Sequence, residues 1–173
     1  MKKSKFFFII FIFFSSVVNL YAIEPDVFVQ STVNRASKIL SENISKDKKI
    51  NELKKIALET VDIRGIGLYT LGPIRKSLND EQKKKYNILF KDYFLKTFSS
   101  RLAEYTNPEI DVFNKEVLSE NYTIVNSILK GTTERPEIKI DWRIYTKNKD
   151  NNSIIFIQYI FTENINFRIC IFS

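Results

Sequence analysis

The chain has 173 residues, a formal charge of +7, no histidine and one cysteine, Cys170. The missing histidine excludes His-dependent triads, zinc–histidine sites and histidine bases, and a lone cysteine excludes an internal disulfide. Fifteen Phe and eight Tyr provide ample material for one packed domain.

The first residues read as an export leader. MKKSK is basic, Phe6 to Phe14 is continuously apolar, and SSVVNLYA ends on the small residue Ala22. The apolar run falls well short of the roughly 20 residues of a spanning helix, which argues against a retained anchor. The expected division is a signal peptide over 1–22, cleaved near Ala22, and a single domain over 23–173. Cleavage removes Lys2, Lys3 and Lys5, so part of the basic charge belongs to the leader. The remaining basic runs, KDKK and EQKKK, suit solvated helix faces. An exported chain has no access to nucleic acid, and no basic stripe with stacking aromatics points to one.

Pro25 and Asp26 open a first helix that runs to about Asn43, since proline and an acidic residue both suit a first turn. Phe28, Thr32, Val33, Ala36, Ile39 and Leu40 fall on one face at helical spacing. A second helix is expected over Asp47–Glu59, with Ile50, Leu53, Ile56, Ala57 and then Val61 inward. VDIRGIGLYTLG follows and contains Gly65, Gly67 and Gly72, three of the chain's four glycines. Asp62 suits a helix cap, and the glycines and Pro73 predict a short, broken helical segment that packs closely and then turns. A hinge is the alternative reading of these glycines.

The clearest element is a long helix over Asp80–Tyr105, roughly 39 Å at about 1.5 Å per residue. Asn79 and Gln82 have capping-box spacing. Tyr86, Leu89, Phe90, Tyr93, Phe94, Phe98, Leu102 and Tyr105 make a broad apolar stripe, ended by Asn107 and Pro108. Such a stripe serves either plain core packing or the lining of an apolar cavity, and spacing alone does not separate the two. Strands follow. Glu109–Leu118 is irregular. In Asn121–Lys130, Tyr122, Ile124, Asn126 and Ile128 share one face, with Val125 and Leu129 on the other. In EIKIDWRIY, Ile138, Ile140, Trp142 and Ile144 alternate with Lys139, Asp141 and Arg143, which predicts one dry and one wet face. SIIFIQYIF is the last strand candidate. Helices first and a strand meander after give an α+β fold. The expected arrangement is the long helix lying across the dry side of a curved antiparallel sheet.

Enzymatic motifs are missing. There is no GxSxG, GIG lacks the GxGxxG spacing, and no GK[ST] follows it. Glu104, Glu109, Asp111, Glu116 and Asp141 are available carboxylates, but the spacing specifies no facing pair. The composition is that of a non-enzyme, without cofactor or metal, that holds something apolar or simply folds.

The order of these pieces resembles MlaC-type proteins, the toluene-tolerance Ttg2D family of periplasmic phospholipid-binding proteins. The resemblance runs from Pro25 to Thr146. It rests on PDVFV near the expected mature start, Leu71–Gly72 before the long helix, Gln82 at that helix's start, the ladder Tyr86, Phe90 and Tyr105, and the late strand with Trp142, Arg143 and Tyr145. It implies helices packed on a curved sheet around an apolar cavity for acyl chains. The chain is then a monomeric carrier that moves phospholipid, without covalent chemistry, between an outer-membrane lipoprotein complex and an inner-membrane ABC transporter complex. The lipid-contacting residues implied are Phe90, Tyr93, Phe94, Phe98, Leu102, Val125, Ile140, Trp142 and Ile144. The sequence departs from the family at Pro73 and Ile74, where an aromatic residue is usual. It departs again over 148–173, where a glycine-serine region and a C-terminal helix are usual and an apolar tail without glycine stands instead. The second reading is therefore a non-transporting structural or interaction module, or an inactive product, on the same scaffold.

Overall fold

The computed structural model describes residues 23–133, 136–147 and 152–161. The expected leader, 1–22, and the tail beyond 161 lie outside the described residues. The elements in chain order are α1 (Pro25–Ser41), α2 (Lys46–Thr60), α3 (Ile63–Thr70), a 3-10 turn (Gly72–Lys76), α4 (Asp80–Leu102), β1 (Ile110–Ser119), β2 (Tyr122–Leu129), β3 (Ile138–Thr146) and β4 (Asn152–Phe161).

Local chemistry sets the helix starts. Pro25 occupies the first turn of α1 and Asp26 lies in that same turn. The Ser45 hydroxyl accepts the Lys48 N–H to cap α2. The Asp62 carboxylate accepts the Gly65 N–H at 2.9 Å to cap α3. At α4 the capping box is complete, with the Asn79 side chain accepting the Gln82 N–H at 2.8 Å and the Gln82 side chain accepting the Asn79 N–H at 3.0 Å. Helix α4 is shorter than expected, 23 residues or about 35 Å. The Tyr105 N–H reaches only back to the Leu102 carbonyl, and Asn107 takes a left-handed φ of 50° that turns the chain into β1.

The strands form one antiparallel sheet in the order β1-β2-β3-β4, a simple meander. Thr123, Val125, Ser127 and Leu129 of β2 and Ile138, Ile140, Trp142 and Ile144 of β3 form its buried face. The opposite face carries polar pairs: Asn126 donates to Asp141 at 2.8 Å, and Asn114 donates to Asn126 at 3.2 Å. Strand β1 is irregular, with register shifts after Val112 and Val117. Strand β4 pairs with β3 throughout, and its Ile154 carbonyl accepts the Asp62 N–H at 2.9 Å, joining the sheet to the start of α3.

Helix α1 packs on β1, β2 and β3, α2 and α3 reach β4, and α4 packs on α2 and α3. This corrects the expected placing of the long helix across the sheet. The reason lies in where complementary surfaces exist. Val29 and Val33 of α1 join the sheet's own cluster, and the Gln30 side chain accepts the Val112 N–H of β1. The aromatic residues of α4 run instead against the glycine segment. A Cβ added at Gly67 would stand 2.8 Å from the Phe90 ring, so α3 and α4 approach as closely as glycine allows. Gly72 has φ +54° with open space around it, so it serves the turn rather than packing.

The α4 stripe is also narrower than its spacing suggests. Phe90, Phe94 and Leu95 are buried, while Leu89 is 60% and Tyr93 52% exposed. Tyr86, Phe90, Phe94 and Phe98 stack in a row with successive ring centroids 5.6, 6.3 and 5.4 Å apart.

Candidate functional site

Two packed clusters leave a space between them. One is the sheet cluster of Val125, Ile140, Trp142, Ile144 and Ile154 with Val29 and Val33. The other centres on Phe90 and Phe94 with Ala57, Ile63 and Ile66. Between them lies an apolar pocket of about 210 Å³. Helix α1 contributes Val33, Ala36 and Leu40, and α2 contributes Leu53, Ile56 and Ala57. The end of α4 contributes Thr97, Phe98, Arg101 and Leu102. Ile110, Leu129, Ile138, Ile140, Trp142 and Ile154 form the sheet side.

The polar groups in this region are mostly spent on local bonds. The Thr32 and Thr60 hydroxyls donate to the carbonyls of Phe28 and Ile56, four residues back in their own helices, at 2.8 and 2.7 Å. The Trp142 indole N–H donates to the buried Ser127 hydroxyl at 2.8 Å, which fixes the ring at the pocket wall. These bonds let threonine and tryptophan line an apolar space without leaving a donor unsatisfied.

The residues singled out from the sequence fall into three places. Phe98, Leu102, Ile140 and Trp142 line the pocket. Phe90, Phe94, Val125 and Ile144 lie in the packed clusters on either side of it. Tyr93 faces outward. Sequence reasoning missed the contribution of α1 and α2 to the wall, although Val33, Ala36, Leu40, Leu53, Ile56 and Ala57 all stand on faces it read as buried. It also missed Arg101, because an arginine in a last helical turn is usually explained by the helix dipole.

A second, polar pocket of about 440 Å³ adjoins the first. Tyr105, Pro108, Leu129 and Ile138 line both. Its own wall carries Glu104, Thr106, Asn107, Lys130 and Thr133. Lys130 is held by Glu109 and Asp111, each at 3.1 Å, and this carboxylate pair raises the pKa of its ammonium. Among the described residues no group of three or more His, Cys, Asp or Glu could hold a metal ion. The arrangement offers partition into an apolar space beside a polar one, and no described cluster is arranged for proton transfer or nucleophilic attack.

The family model described as MlaC protein matches residues 30–157. That match extends through β3 and into β4, beyond the Thr146 limit of the sequence resemblance. Among solved structures, a phospholipid-binding protein from Ralstonia solanacearum, in complex with a phospholipid, has the same fold, with a TM-score of 0.63 at 12% identity. The alignment covers 77% of this chain and 76% of that one. No curated protein sequence matches this one.

Proposed function

The chain belongs to the MlaC family, and from that premise we propose that it is a periplasmic phospholipid carrier whose acyl-chain site is the pocket between the helices and the sheet. The observation that carries the proposal is the character of that space. It is walled by aliphatic and aromatic side chains from α1, α2, α4 and all four strands, with the Thr32 and Thr60 hydroxyls and the Trp142 indole N–H already bonded.

Phe98, Leu102, Ile140 and Trp142 are assigned direct contact with the acyl chains. Phe90, Phe94, Val125 and Ile144 back the walls. At about 210 Å³ the pocket is smaller than the roughly 300–1,000 Å³ of ordinary ligand sites. Loading two chains therefore requires the walls of the pocket to part. Enclosure of the chains by a more strongly curved sheet belongs to this loaded state.

The energetics suit a shuttle. Each buried CH₂ gains about 0.8 kcal/mol over water, and a bilayer offers much the same. Exchange with a membrane is then close to balanced, and no fuel acts on the carrier itself. Its work is to remove the aqueous barrier. In this reading the leader 1–22 directs export and is cleaved near Ala22. Residues 23–173 then act as one monomeric domain between an outer-membrane lipoprotein complex and an inner-membrane ABC transporter complex.

The test is a native mass spectrum of the exported protein purified without detergent. Added mass equal to a phospholipid, released as phospholipid on activation, is expected. A folded, soluble protein without added mass would sink the carrier reading and leave a structural or interaction role for this scaffold.

A further inference from the structure

We propose that Arg101 reads the headgroup: its guanidinium binds the phosphodiester of a loaded phospholipid at the rim of the apolar pocket, and the adjoining polar pocket receives the rest of the head. This inference rests on the carrier reading and adds to it a residue that decides which amphiphiles are held.

Arg101 is the one charged side chain among the described residues lining the apolar pocket. It is solvent-exposed and still forms part of the wall. An arginine does both by laying its aliphatic stem on apolar surface while the guanidinium stays in water. No carboxylate among the described residues lies within ion-pair distance of it, whereas Arg35 has one and Lys115 and Lys130 have two each. The dipole of α4 accounts for a cation in the last turn. It does not account for that cation standing in the wall of the pocket.

The order of environments is that of an amphiphile. Phe98 and Leu102 of α4 are apolar wall residues, and Arg101 stands beside Leu102 in the last turn of that helix. Tyr105, four residues further, belongs to both pockets. The polar pocket presents Thr106, Asn107 and Thr133 together with the carboxylates of Glu104 and Glu109. Acyl chain, phosphodiester and polar alcohol follow one another in the same sequence along a phospholipid. A planar guanidinium offers paired donors that match two phosphate oxygens, a geometry that an ammonium lacks. Lys130, the cation that lines the polar pocket, is already engaged by Glu109 and Asp111 and does not compete for the phosphate.

The experiment compares three pyrene-labelled probes with the same type of acyl chain, each doped into phosphatidylcholine vesicles: phosphatidylethanolamine, diacylglycerol and free fatty acid. Label that elutes with the protein after incubation is the readout. The wild type is expected to take the phospholipid in preference to the diacylglycerol. Arg101→Gln should lower phospholipid uptake roughly ten-fold while changing diacylglycerol uptake less than about two-fold. Arg101→Lys should fall between, because it restores the charge without the fork. Far-UV circular dichroism and the urea midpoint confirm that each variant is folded. Equal loss of phospholipid and diacylglycerol uptake in Arg101→Gln would reduce Arg101 to a wall residue and overturn the inference, as would unchanged phospholipid uptake. Equal dependence of fatty-acid uptake on Arg101 would replace the phosphodiester with a general anion site. A wild type that takes up no probe would overturn the carrier reading itself, which separates the two failures.

Discussion

Ser127 and Trp142 illustrate how much one residue pair carries. Their hydrogen bond is buried and sits at the edge of the proposed lipid site. Ser127→Ala would leave the indole N–H without a partner, at a cost of about 1–3 kcal/mol. Urea unfolding followed by the fluorescence of Trp142, the only tryptophan, measures this directly. A loss below about 0.5 kcal/mol would mean that the indole finds another acceptor. Gly67 makes a second residue-scale case. A methyl there would press on Phe90, which is buried and stacked between Tyr86 and Phe94. Gly67→Ala should therefore destabilise by about 1–3 kcal/mol, the usual cost of overpacking, despite alanine's better helix propensity. The Asp62 cap and the Asn79–Gln82 box were legible in the sequence because their partners are three residues away. The Ser127–Trp142 bond was not, because its partners meet only through the β2–β3 register.

At the scale of elements, α4 shows the limit of periodicity. Its apolar residues run nearly all the way round, so spacing did not say which arc is covered. The covering elements, α2 and α3, decided it. Phe94→Ala should cost about 3–5 kcal/mol, whereas Leu89→Ala, on the exposed face, should stay within about 0.5 kcal/mol. Similar losses at both positions in urea denaturation would contradict the layer arrangement. The link between α1 and β1 is a second case. Lys115 of β1 bonds Glu24 and Asp26 at the start of α1, each at 2.8 Å. The Lys115 hydrogen bond chiefly holds the Asp26 carboxyl below its ordinary pKa, and Asp26, then Glu24, raise that of Lys115. The Asp26 contribution is therefore complete above the unfolded carboxylate range, near pH 4, and is lost as pH falls through the lower folded value. The Lys115 contribution is present below about pH 10.4 and is lost as pH rises through its raised folded value. Both partners are partly solvated, so Lys115→Met should cost only about 0.5–1 kcal/mol at neutral pH. That difference from wild type should shrink in urea midpoints taken below pH 4. A constant difference across that range would assign the loss to packing.

At the scale of the whole molecule, the functional feature is a gap between layers. A core that packed fully would leave no such space, since interiors normally approach crystal density. Ala36 lies on the α1 wall of the pocket. Ala36→Trp should fill the space, leave the fold intact by circular dichroism, and abolish co-purification of phospholipid in the native mass spectrum. Phospholipid retained at wild-type level by a folded Ala36→Trp protein would place the acyl-chain site elsewhere.

The sequence by itself determined the element order, the caps of α3 and α4, the α+β class, the dry face of β3 and the absence of histidine chemistry. These follow from short-range periodicity, capping geometry and composition, all of which act along the chain. Only the tertiary structure decided that α1 rather than α4 lies across β1–β3, that Leu89 and Tyr93 face outward, and that α1 and α2 contribute to the pocket wall. It also placed Arg101 in the wall of the apolar pocket, which shares Tyr105 with the polar one. Those outcomes depend on which surfaces meet, and an apolar residue carries the same periodic signal whether it is covered by a neighbouring helix, by a sheet or by a ligand.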